Sequence, residues 1–185
     1  MEADYLNATI KQFEYYKALG DKTIAQLSED QLFFKLDGFS NSIAVIVNHL
    51  HGNMRSRWTN FLSEDGEKDW RNRDAEFMDI ITSKSELLDR WEEGWMCLFE
   101  ALYSITPTNF NQPIFIRNQQ HTIIEAFNRQ MTHYAYHVGQ IVFIGKHLKS
   151  ADWKSLSIPK GKSAQFNEEK FARGKHGGHF TDDLK

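Results

Sequence analysis

One cysteine, Cys97, in 185 residues excludes an internal disulfide and suits a reducing compartment. A basic excess is missing too: the formal net charge of -3 offers no general attraction to phosphate backbones or anionic lipid, so neither nucleic acid nor a membrane is expected as a partner. No apolar run approaches the roughly 20 residues needed to span a bilayer. The amino-terminal MEADYLNATIKQF lacks the basic start and apolar core of a signal peptide, and cytoplasmic residence is the expectation. Internal repeats of about 20 to 50 residues and low-complexity segments are also lacking. What is there, 41% hydrophobic and 14% aromatic residues, lies far from disordered compositions, and the length suits one domain with a real core.

The organisation comes from hydrophobic periodicity. A first helical pattern runs from about Asp4 to Leu27, with Leu6, Ile10, Phe13, Gly20 and Ile24 near one side. Ser28 and Asp30 mark a break, followed by a short FFKL run and the turn residues Asp37 and Gly38. A second helix starts at Asn41 or Ser42 and carries Ile43, Ile46, Val47, Leu50, Met54 and Phe61 on one face. The stretch SEDGEKDWRNRDAEF then reads as a solvated connection with weak surface ion pairs, the sharper alternative being a charged rim to a nearby site. A third helix opens on a capping box, Ser83 with Glu86, and repeats Leu87, Trp91, Trp95, Leu98 and Leu102. Pro107, Pro113 and a β-like PIFI indicate a loop with a short hairpin before a second box, Thr122 with Glu125, starts a fourth helix reaching about Leu148. Four such stripes predict an all-α four-helix bundle over residues 1–150, with 151–185 a polar carboxy-terminal extension of the same domain.

The stretch MTHYAYHVGQI raises the functional question. His133 and His137 lie about 40° apart on the fourth helix with β-carbons about 5–6 Å apart, inside the arc of Ile123, Ala126, Ile141, Ile144 and Leu148. Two neutral rings can sit in a core if their nitrogens find partners. A divalent ion uses their lone pairs directly, and i,i+4 spacing presents two ligands from one helix. A third ligand must then come from another helix. His51 lies about 75° from the centre of the second helix's apolar face and His49 about 125°, so spacing leans to His51. His121, His147, His176 and His179 sit at helix ends or in the tail, where the glycines of HGGH make a flexible chain.

The segments SNSIAVIVNHLHGNMRSRW, DGEKDWRNRDAEF, HYAYHVGQIV and SLSIPKGKSAQFN resemble the DinB/YfiT-like superfamily of metalloenzymes. The resemblance implies a four-helix bundle in which one histidine of the second helix and two of the fourth bind a single ion, commonly zinc or nickel. It assigns the ligands to His49, His133 and His137, against the lean of the spacing. It also implies a small-molecule substrate, with a low-molecular-weight thiol such as bacillithiol in S-transferase members, and pairing as a homodimer.

Three histidine ligands leave a coordination position open, the pattern of a catalytic site. Hydrolysis of a small amide or ester and thiol transfer are the chemistries that follow, with a non-catalytic metal-stapled bundle as a third reading. Gln140, about 20° from His133 on the helical wheel, is the best-placed catalytic candidate beside Tyr134 and Tyr136. No convincing base stands at a motif position: Glu125 belongs to a cap and Glu100 has no locating signal. Cys97 falls to the side of its helix's core stripe and reads as structural.

Overall fold

Serine and threonine caps fix where most of the helices begin. The computed structural model describes residues 2–183. Helix α1 spans Glu2–Ile24, α2 Glu29–Phe33, α3 Ile43–Trp58, α4 Lys84–Tyr103, α5 Ile123–Lys149 and α6 Ser163–Ala172. Ser42 caps α3, its hydroxyl accepting from Val45 N–H, and Thr122 and Glu125 complete the box that starts α5. At α4 only half of the expected box forms. Ser83 accepts from Glu86 N–H, while the Glu86 carboxylate turns to Thr82 N and to Arg90. The unexpected α2 starts on a full capping box made by Ser28 and Gln31.

Side-chain contacts fix the directions of the four long helices. Tyr5 meets Ile124 and Asn128, and Gln26 meets Lys154 just past α5, so α1 and α5 run parallel. Asn48 meets Arg90 and Thr59 meets Cys97, so α3 and α4 are parallel as well. Lys17 reaches Glu92 while Lys84 reaches Leu27 O, and Trp58 packs on Phe127 while His49 faces His137. The two pairs are thus antiparallel to each other, an up-down-down-up four-helix bundle. Parallel α3 and α4 force residues 59–83 to run back the length of α3, and this crossover ends in a 3-10 turn at Asp74–Phe77 packed on α3. The Lys68, Arg71 and Glu76 side chains are buried in it while Asp69, Trp70, Asn72 and Asp74 stay exposed, so only its outer side is the solvated connection expected.

Between the helices Trp91, Trp95, Tyr134, Phe13 and Phe127 are almost completely buried, with Trp95 edge-on to both Trp91 and Tyr134. Gly20 is required here, because a Cβ on it would stand 2.3 Å from the Trp91 ring. The hairpin expected near PIFI is present: β1 (Ile114–Ile116) pairs antiparallel with β2 (Gln119–His121). Arg117 and Asn118 turn it with positive φ, their N–H groups held by the Asp65 carboxylate. The segment after α5 folds back along α1, where Lys11 pairs with Asp182. Thr122→Ala, which removes a cap without touching the core, is expected to lower stability by about 1 kcal/mol, read as a lower urea midpoint at unchanged slope.

Candidate metal centre

Neighbouring residues on a helix point about 100° apart, so Tyr134 enters the core while His133 faces α3, with His137 one turn further on. His133 Nε2 lies 3.3 Å from His49 Nε2 and 3.1 Å from His137 Nε2. The outward nitrogens decide what the inward ones can do. Glu76 Oε2 stands 2.8 Å from His49 Nδ1, and a carboxylate only accepts, so His49 Nδ1 carries a proton and in the neutral ring Nε2 is a bare lone pair. With Gln140 Oε1 placed 2.8 Å from His137 Nδ1, that ring donates there and presents Nε2 inward as well. Two inward lone pairs therefore face a third ring that has at most one proton to offer. Nitrogens held tetrahedrally at about 2.0–2.1 Å from an ion stand about 3.3 Å apart, which both His133 spacings match, and all three ligand atoms lie within 4.8 Å of one another. The three histidines are positioned to hold a metal ion.

The crossover builds the support behind His49. Asn48 Nδ2 donates to Glu76 O at 2.9 Å, fixing the 3-10 turn, and Arg71 grips the Glu76 carboxylate through Nε at 2.7 Å and Nη2 at 3.0 Å. Burial alone would raise the Glu76 carboxyl, but the hydrogen bond from His49 and the Arg71 guanidinium together hold it below the usual carboxylate range. Gly52 makes room for this pair, and Phe77 stacks on the His49 ring with centroids 4.6 Å apart.

The other candidates lie elsewhere. His51 turns to α4, its Nε2 2.9 Å from Glu93 Oε2, outside the cluster. Gln140 contacts the far nitrogen of His137 and not the side on which the three rings meet. Tyr134 accepts from Trp58 Nε1 and donates to Asn53 Oδ1 in the core, and Tyr136 is exposed. Burial pushes the Cys97 thiol up, which suits a structural role. His176 Nδ1 lies 3.0 Å from Gly174 O and His179 Nδ1 2.7 Å from Thr181 Oγ1 in the carboxy-terminal segment, and Glu125 serves its cap. Sequence reasoning missed Glu76, Arg71, Phe77 and Gln130. The acid and its arginine sit in a charged loop with no spacing signal, and only the alternation of charges there hinted at a rim.

The histidines border a cavity of ≈ 340 Å³ between α3, α5, the crossover and the hairpin. Burial, then the neighbouring His137 and His49 rings, push His133 down to about 3, and burial with Arg90 and Arg55 pushes His51 to about 4. These groups take up protons less readily folded than unfolded, where the ordinary value is 6.5. In that range the unfolded chain binds more protons, so the stability of metal-free protein should fall as pH falls. The window from pH 6.5 to 4.5 isolates the histidines, since the depressed carboxylates such as Glu76 add their own loss only below their ordinary 4.5. Melting curves across that window check this, and a flat Tm would contradict it.

A family model described as "Protein of unknown function (DUF1572)" matches residues 1–162. No curated protein and no solved structure matches the chain.

Proposed function

The chain belongs to the DUF1572 family, and from that membership and its three-histidine cluster we propose a metal-dependent enzyme of the DinB/YfiT-like kind that transfers a group to a small thiol. His49, His133 and His137 would hold one divalent ion, zinc or nickel. Bound there, the ion would supply a positive charge that lowers the pKa of a thiol or of water and polarises an electrophile. Glu76 and Gln140 keep two rings in the tautomer that presents Nε2, which makes Gln140 a positioning residue on this reading. Phe77, stacked over His49, screens that ring from water.

The observation that carries the choice of reaction is the cavity wall: among the described residues that line it, none is a carboxylate. Glu76, the nearest acid, is occupied by His49 and Arg71. Water starts from a pKa of about 15.7 and a thiol from about 8.5, so with no base on the cavity wall the thiol's anion needs far less stabilisation from the ion. Thiol transfer therefore asks less of these residues. The thiolate sulfur forms a bond to the electrophilic carbon as the leaving group departs with its electron pair.

The test is the rate at which bacillithiol is consumed with 1-chloro-2,4-dinitrobenzene, chloride leaving, by protein loaded with zinc or nickel. A rate at least about tenfold above that of metal-free protein is expected; equal rates, with hydrolysis of a small ester instead, would replace this reading by the hydrolase.

A further inference from the structure

Five arginines line the cavity beside the histidines: Arg57 from α3, Arg71 and Arg73 from the crossover, Arg117 from the hairpin turn and Arg129 from α5. Glu67 answers three of them, lying 3.0 Å from Arg57, 3.0 Å from Arg71 and 3.3 Å from Arg117, and Glu76 answers Arg71 again. Asp65, which accepts from Arg117 N–H and faces Arg57, is a third carboxylate, and three against five guanidiniums leave an excess of two positive charges around one small cavity in a chain whose net charge is -3. Among the described residues Arg73 and Arg129 make no ion pair; Arg73 only lies over the Phe77 ring, 5.2 Å from its centroid. Such a local excess, held at a concave wall, focuses a positive field on whatever enters.

A second observation points to a ligand. Gln130 is 3% exposed and lines the cavity, and its Oε1 is buried without a hydrogen-bond partner. Arg57 Nε is likewise a buried donor without a partner in the same wall. Buried polar groups are rarely left unpaired, and a donor and an acceptor left so together mark where a polar molecule belongs.

We infer that the cavity takes a small molecule bearing a carboxylate or phosphate group, seated among Arg57, Arg73 and Arg129 with its reactive end toward the three histidines. Guanidinium forks match the paired oxygens of either group, and the shared chemistry is the oxyanion. The inference rests on the proposed function insofar as it takes the cavity for that enzyme's substrate site. Its test does not depend on turnover.

Calorimetric titration of the metal-free full chain with inorganic phosphate, citrate and the neutral control glycerol reads anion binding directly. Phosphate or citrate should bind and glycerol should not, the tighter of the two naming the preferred group. The double variant Arg73→Gln/Arg129→Gln should weaken that binding at least about tenfold while zinc stoichiometry stays unchanged. Neither side chain has an ion pair to lose, and an unaltered circular dichroism spectrum checks the fold. Lys146→Gln, on an exposed residue remote from the cavity lining, should leave binding unchanged. Absence of anion binding, an undiminished affinity in the double variant, or an equal loss in Lys146→Gln would each overturn the inference. A failed thiol assay with intact anion binding would instead count against the proposed reaction alone.

Discussion

His133→Ala is expected to reduce metal affinity by more than about 100-fold, the upper end of what loss of a merely supporting partner costs. Its Nε2 is the nearest neighbour of both other inward nitrogens, so its removal leaves an ion with His49 and His137 alone. Thermal stability reads the loss. An ion at 100 times its Kd stabilises a folded protein by about 2.7 kcal/mol, which for a chain of this size is a rise of about 5–10 °C in Tm. The parent protein should show that rise on addition of zinc and the variant should not. Without metal the variant should melt only slightly below the parent, because the deleted ring offers at most one hydrogen bond to the two lone pairs it faces. A zinc-induced rise that survives in His133→Ala would show that the ion binds elsewhere.

Glu76→Gln carries the second large effect, on two quantities at once. The glutamine can still accept from His49 but no longer carries the charge that balances Arg71, whose side chain is 2% exposed. Removing one partner of a buried ion pair costs about 3–5 kcal/mol. Glu67 also holds Arg71, so the lower end applies. The ligand it orients loses basicity as well, and metal affinity should fall about 10–100-fold. Gly52→Ala tests the same support from the other side. In an ordinary helix this change favours folding by about 1 kcal/mol, but here the new Cβ would stand 2.5 Å from Glu76 Oε1, a carboxylate pinned by Arg71 and His49. It should therefore destabilise the protein and weaken the ion together. Urea midpoints and zinc titrations measure both.

Much of this architecture is legible in the sequence because each long helix announces itself twice, by periodicity and by a cap. Ser42, Ser83 and Thr122 stand where helices begin, and the stripe of Leu87, Trp91, Trp95, Leu98 and Leu102 is the buried face of α4. The small α2 was equally readable in principle, since Ser28 and Gln31 have capping-box spacing, but five residues give periodicity nothing to act on. The wheel misleads on α3 for a different reason. Every residue from Ser42 to Leu50 is buried, because the bundle covers one side and the crossover the other. An apolar face averaged over such a helix has no meaningful edge, and His49, lying between the two coverings, is measured against the wrong centre. Resemblance points to His49 where spacing leans to His51, and the fold places His49 with His133 and His137. Glu76 and the arginines were illegible because an acid among basic residues in a loop looks solvated until the return path over α3 is known.

On the proposed function His49, His133 and His137 together hold one divalent ion. X-ray absorption at the zinc edge, on untagged protein carrying one equivalent of zinc, tests it most directly. The predicted spectrum has the scattering of three imidazoles and one further light atom at about 2.0–2.1 Å, reduced to two imidazoles in His49→Ala and unchanged in His51→Ala. A first shell with fewer than three imidazoles in the parent, or one altered by His51→Ala and not by His49→Ala, would contradict it.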